Sequence, residues 1–168
     1  SGIHYSRSKL ILLELKKRPD VELQIVVGAS AILPIYSDTL KLMAKDGFKC
    51  DAKITMVIEG GTSAAMAKTT GLGIIDFATV FENLRPDIVV IRGDRYETIS
   101  PAIAAAYLNI VVAHIEGGDV TGSIDESVRH AVTKLAHIHF TTNELSYKRV
   151  LLMGEDPKYV FACTRNSQ

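Results

Sequence analysis

Three acidic residues frame the chemistry this chain could perform. Asp94 lies in the run Arg92-Gly93-Asp94-Arg95-Tyr96-Glu97, directly after the β-branched stretch Asp87–Ile91. Glu116 lies in His114-Ile115-Glu116-Gly117-Gly118-Asp119, directly after a second such stretch, Ile110–Ile115. Asp125 follows in Ser123-Ile124-Asp125-Glu126. Asp94 and Glu116 are 22 residues apart, the length of one helix and one strand, so both fall at the same edge of a sheet. Two carboxylates converging there can have their pKa values pushed apart, making one a base and the other an acid.

Each acid also has a plainer reading. Taken alone, Asp94 suits a helix N-cap. Glu116 suits one less well, because Glu is not a favoured capping residue and a charge beside buried strand ends needs a partner. The pair Gly117-Gly118 removes side chains around it, as close approach of a ligand requires. His114 lies within the strand run, where an orienting or core role stands beside direct chemistry. Asp125 and Glu126 occupy a first helical turn, where acids favour the helix dipole. Asp125–Arg129 and Glu126–His130 are i,i+4 pairs that surface ion pairs also use. Their helix nevertheless starts only a few residues beyond the Glu116 loop. In open α/β sheets, ligands bind at that edge, beyond the carboxyl ends of the strands.

The elements that must position these acids alternate along the chain. Strands are expected at Leu23–Gly28, Ile54–Ile58, Asp87–Ile91 and Ile110–Ile115, with weaker signals at Ile138–Thr141 and Tyr159–Cys163. The strong runs are almost continuous in Val and Ile, which suits parallel strands covered on both faces. Helices are expected at Tyr5–Arg18, at Thr39–Asp46 with Gly47 as its C′ residue, and at Thr62–Leu84. Three more are expected at Tyr96–Leu108 with Pro101 in the first turn, Asp125–His137 and Asn143–Met153. Alternating strands and helices predict a doubly wound parallel sheet, a Rossmann-like α/β domain spanning 1–168. The first helix has no strand before it, and a strand ahead of Ser1 would complete the pattern.

Composition narrows the classes. The 168 residues carry 19 basic and 19 acidic side chains, which argues against a basic nucleic-acid surface or a polybasic membrane anchor. No apolar run approaches the roughly 20 residues of a membrane span. The two cysteines, Cys50 and Cys163, make neither a metal cluster nor a disulfide framework, and a reducing cytoplasm is the simplest setting. Gly71-Leu72-Gly73 lacks the third glycine and the preceding strand of a dinucleotide fingerprint. Neither a Walker A run nor a Gly-x-Ser-x-Gly elbow occurs, and His137 and His139 lack ligand spacing. No cofactor or metal is expected.

The stretch RGDRYE, followed by HIEGGDVTGSIDESVRHAVTKLAH, resembles the UDP-N-acetylglucosamine 2-epimerase family, most closely its hydrolysing, sialic-acid-pathway branch. The non-hydrolysing branch is less similar, with Gly-Asp-Thr after the third strand and Pro-Glu-Glu before the later Arg. The resemblance runs from about Ile3 to about Val160. It implies the amino-terminal half of a two-domain, glycosyltransferase-B type enzyme whose second half supplies most contacts to uridine and phosphates. It also implies a UDP-sugar substrate, a homodimer, and Asp94, Glu116 and Asp125 as the acids facing the sugar. Arg95 matches a site Arg of the hydrolysing branch. Tyr5, Ser6 and Arg7 match the loop that opens the first helix near the substrate, and Gly117 and Gly118 line it. The implied reaction removes the C2 proton, expels UDP from C1, and adds water to give N-acetylmannosamine. Two departures stand out: Gly2 replaces a family Arg, and the ending CTRNSQ lacks the expected Gly-Pro-x-x-Asp-like run. The alternatives are a non-hydrolysing epimerase and a non-catalytic module that binds a nucleotide sugar.

Overall fold

In the computed structural model of the chain, residues 2–28, 38–55, 61–93 and 95–163 are described. The chain divides into two compact units, Ser1–Glu59 and Gly60–Gln168.

The first unit contains α1 (Gly2–Lys17), β1 (Val26–Gly28), α2 (Asp38–Lys45) and β2 (Ala52–Ile54). The two strands pair in parallel, with Val26 opposite Ala52 and Gly28 opposite Ile54. Tyr5, Val27, Met43 and Phe48 form the core, walled by Leu12, Leu13, Ile25 and Leu40. α2 ends as expected at Gly47, whose φ is +81°. The Gly47 N–H bonds the Ala44 carbonyl and the Phe48 N–H bonds the Met43 carbonyl, the two bonds of a Schellman cap. That cap turns Phe48 into the core. The second strand begins earlier than expected, at Ala52, and positions 56–60 of the expected Ile54–Ile58 lie outside the described residues.

The second unit contains α3 (Ser63–Leu84), β3 (Ile88–Arg92), α4 (Ile99–Tyr107), β4 (Val111–Ile115), α5 (Ile124–Leu135), β5 (Ile138–Thr141), α6 (Glu144–Leu152) and β6 (Val160–Ala162). Its sheet runs β3-β4-β5-β6, all parallel, which is the expected α/β alternation. Val89 and Ile91 of β3 and Val112 of β4 bury against Phe81, Ala102, Ala104, Ala105, Val132 and Ala136 from α3, α4 and the end of α5. Thr62 caps α3, accepting from the Ala65 N–H at 3.1 Å.

Three expectations need correction. The run Tyr96–Leu108 is not one helix: a 3-10 turn at Tyr96–Thr98 precedes α4. Pro101 explains the break, because it has no N–H to give the Glu97 carbonyl and its ring would crowd that oxygen. α5 stops at Leu135 rather than His137, since Ala136 is extended (ψ 155°). The His137 N–H then joins the ladder by donating to the Val112 carbonyl at 2.8 Å. β3 is not covered on both faces, because Ile88 and Val90 remain 50% and 51% exposed.

Candidate active site

The site is built where β3 and β4 end. Arg92 closes β3 and lies in register with Ile115, which closes β4. The next residue is Glu116, whose φ is +72°. Left-handed backbone costs a non-glycine residue roughly 1–2 kcal/mol. Among the described residues, the other non-glycine residues of positive φ, Arg85 and Asn109, each follow a helix end, where such a turn is common. Glu116 instead follows a strand end, so its conformation serves the loop that it opens. Its N–H still donates to the Phe140 carbonyl of β5 at 2.9 Å, which ties the turn to the sheet.

The Glu116 carboxylate has a partner, as a charge at strand ends requires. Arg92 Nε and Nη2 both donate to its Oε1, at 3.1 and 2.7 Å. Asp94 lies outside the described residues. Its neighbour Gly93 has a φ of +101° and open space where a side chain would be. The Gly93 carbonyl faces His114 Nε2 at 3.5 Å, and the other ring nitrogen lies 3.1 Å from Thr133 Oγ1 in α5. His114 is fully buried. Burial above all drives its pKa down from 6.5 to about 4; the Gly93 carbonyl opposes the shift, and His139 and Arg129 reinforce it. The neutral ring therefore links the Gly93 turn to α5, an orienting role.

The glycine pair is explained by protein packing. A carbon added to Gly117 would lie 2.9 Å from Thr133 Oγ1 and 3.1 Å from His114 Nδ1. One added to Gly118, whose φ is +88°, would run into the Ser146 carbonyl of α6. The loop is then clamped from both helices. Arg129, only 2% exposed, donates to the Asp119 carbonyl. Arg149 donates to the Gly118 carbonyl. The Asp119 side chain accepts from Ser146 Oγ and from Asn143 Nδ2.

Asp125 and Glu126 have separate jobs. Glu126 Oε2 accepts the backbone N–H groups of Thr121 and Gly122 at 2.8 and 2.6 Å. The Gly122 and then the Thr121 N–H hold its carboxyl below the usual range. Its other oxygen lies 3.7 Å from His130 Nε2, the expected i,i+4 pair. The expected Asp125–Arg129 pair does not form, because Arg129 turns to the Asp119 carbonyl and Thr121 instead. Among the described residues, Asp125 makes no hydrogen bond or ion pair. It stands part-buried in the first turn of α5, just beyond the loop that starts at Glu116.

The remaining expected residues are placed as follows. Arg95 is half exposed, with Nε 3.4 Å from Glu97 Oε1, and its carbonyl anchors Thr98. In the first unit, Tyr5 is buried and its hydroxyl donates to Asp46 Oδ2 at 2.7 Å, beside the Lys9–Asp46 ion pair. Burial first, and then Asp46, push that hydroxyl up to about 12. Ser6 and Arg7 are exposed on α1. Among the described residues, no cluster of three His, Cys, Asp or Glu could hold a metal, and no helix is long and apolar enough to cross a membrane. The sequence does not reveal the contacts of Arg92 with Glu116, of Arg129 with Asp119 or of Arg149 with Gly118, because each joins residues of different elements or loops.

Parallel strands joined by helices define a Rossmann-like α/β protein, and the clamped carboxylate loop at their carboxyl ends is its candidate site. The family model for UDP-N-acetylglucosamine 2-epimerase matches residues 13–163, and the chain belongs to that family. The UDP-N,N'-diacetylbacillosamine 2-epimerase (hydrolyzing) of Legionella pneumophila is 36% identical over 157 residues, 94% of this chain and 42% of that protein. The GDP/UDP-N,N'-diacetylbacillosamine 2-epimerase (hydrolyzing) of Campylobacter jejuni is 37% identical over 149 residues, 88% of this chain and 38% of that protein. The crystal structure of the Neisseria meningitidis UDP-GlcNAc 2-epimerase bound to UDP-GlcNAc shares the fold. Its TM-score is 0.82 at 23% identity, covering 96% of this chain and 44% of that one. The chain thus spans about two fifths of the length of the curated relatives it matches.

Proposed function

We propose that this chain is the sugar-facing, amino-terminal part of a hydrolysing UDP-N-acetylglucosamine 2-epimerase. In this reading a base takes the C2 proton of the sugar. The C1–oxygen bond breaks, its electron pair leaves on UDP, and a C1–C2 double bond forms in 2-acetamidoglucal. Water then adds across that bond to give N-acetylmannosamine. Asp94, Glu116 and Asp125 divide three tasks: proton removal, proton delivery, and stabilisation of positive charge developing at C1. The observation that carries the reading is Glu116 itself, a carboxylate on a left-handed turn at the strand ends, held by Arg92 from the adjacent strand. A second Rossmann-like domain would close over the diphosphate and exclude water, so this chain alone turns over little.

The test is UDP release by the full-length protein from UDP-N-acetylglucosamine, with the sugar product identified by NMR. Glu116→Gln lowers kcat by two or more orders of magnitude while the fold is kept; an unchanged rate removes Glu116 from the mechanism. A second reading of the substrate rests on the two relatives at 36% and 37% identity, whose names specify N,N'-diacetylbacillosamine. Running both UDP-sugars side by side separates them, since kcat/KM favours the sugar the enzyme is built for.

A further inference from the structure

The ion pair at the site is lopsided. Both donors that Arg92 aims at Glu116 land on the same oxygen, Oε1. Among the described residues, Oε2 takes no hydrogen bond. Arg92 closes β3 and Glu116 directly follows β4, and the ends of these two strands are in register, so the sheet itself sets their separation. The pair is also three-quarters shielded, with the side chains 20% and 27% exposed. A Glu side chain has three rotatable bonds, and a left-handed backbone aims it away from its strand direction. Something must choose one rotamer. The Arg92 fork does so by fixing one carboxylate oxygen from two points and leaving the other for a reacting group.

We propose that Arg92 is a positioning residue that delivers Glu116 Oε2 to the sugar in a single orientation. The proposal rests on the catalytic role argued for Glu116 and adds the group that makes this role efficient. A shift of about 1 Å in a catalytic group can cost on the order of 100-fold in rate. Loss of the fork therefore acts on turnover more than on binding. Arginine is suited to this because its fork is planar and rigid, whereas lysine offers a point charge on a flexible stem.

The experiment is a double-mutant cycle on the full-length protein, read as kcat and KM separately. Arg92→Met is expected to lower kcat about 100-fold and leave KM within about threefold, because truncating a positioning group removes an interaction needed only in the transition state. Arg92→Lys recovers part of the loss, on the order of 10-fold. In the Glu116→Gln background, Arg92→Met adds little, since the group it orients no longer acts. The proposal is overturned if the two effects multiply, if Arg92→Met leaves kcat intact, or if the loss merely tracks a fall in Tm. Should Arg92→Met fail to fold, Arg92→Lys with and without Glu116→Gln closes the same cycle. If Glu116→Gln alone is silent, the functional reading fails; if only the Arg92 variants are silent, that reading stands and this inference falls.

Discussion

Gly118 and Ser146 approach so closely that a side-chain carbon on the glycine would overlap the serine carbonyl oxygen. The obstacle is backbone, pinned within α6, and cannot swing away. Gly118 also holds φ at +88°. Gly118→Ala therefore meets two penalties, left-handed strain and overpacking, for a loss of about 3 kcal/mol or more. Gly122 is a matched control: its φ is +71°, but nothing lies within 4 Å of the added carbon. Gly122→Ala should cost about 1–2 kcal/mol, the backbone strain alone. Urea unfolding of the two variants checks the difference, and equal losses would show that the α6 contact is not what demands glycine at 118.

The buried pair His114 and His139, opposite each other on β4 and β5, is expected to make the protein acid-sensitive. Both rings have lowered pKa values, chiefly through burial, and His114 falls from 6.5 to about 4. Glu155 partly offsets the shift at His139. A histidine depressed in the folded state binds its proton more tightly when unfolded. Stability is then fully present above the unfolded value and is lost as pH falls from about 6.5 toward 4. The His114 contribution is about 3 kcal/mol over that window. Unfolding free energies measured between pH 8 and pH 4.5 should show the decline, and His114→Asn should flatten it. A pH slope unchanged by that substitution would move the effect elsewhere.

Glu126 is expected to keep its loop ordered rather than to react. Its Oε2 gathers the Thr121 and Gly122 N–H groups ahead of α5. In Glu126→Ala these two amides should exchange with solvent faster by an order of magnitude or more, while the β4 amides keep their protection. The bond requires the ionised carboxylate, whose pKa those N–H groups lower. Protection is therefore present at neutral pH and is lost as pH falls through the lowered value. Amide exchange followed by NMR reads this directly, and unchanged rates at Thr121 and Gly122 would refute it.

The parts legible in the sequence are those with local causes. Gly47 signals its cap because only residues within a few positions of it, Met43 to Phe48, are involved, and Pro101 marks the start of α4 because one missing N–H decides it. The Val- and Ile-rich runs give β3 and β4 through strand preference, although burial on both faces, which the same runs suggest, does not hold for β3. What stayed hidden depends on register. Arg92 meets Glu116 only because β3 and β4 pair so that Arg92 stands beside Ile115. Arg129 has an acid at i−4 and ignores it, because the Asp119 carbonyl lies closer to its guanidinium than helical spacing can reveal. The glycine pair reads in the sequence as room for a ligand, whereas the atoms that an added side chain would meet belong to Thr133 and Ser146 of two later helices and to His114.

Asp125 offers the cleanest separation of chemistry from folding. It sits beside Glu126 at the same helix start and shares its charge, yet among the described residues it makes no hydrogen bond or ion pair. A part-buried carboxylate with no structural partner, one turn from the Glu116 loop, contributes little to stability. Asp125→Asn should leave unfolding within about 0.5 kcal/mol, apart from a small helix-dipole change. If Asp125 is one of the acids acting on the sugar, the same variant of the full-length protein loses about 100-fold to 10,000-fold in kcat, the range for a general acid or base. Glu126→Gln should show the opposite balance, a measurable loss of loop protection with most of the rate retained. Both variants are compared by kcat and by thermal unfolding under one buffer condition. An Asp125→Asn enzyme with wild-type turnover would assign the acid function of this helix start to neither residue and leave Glu116 and Asp94 to carry the reaction.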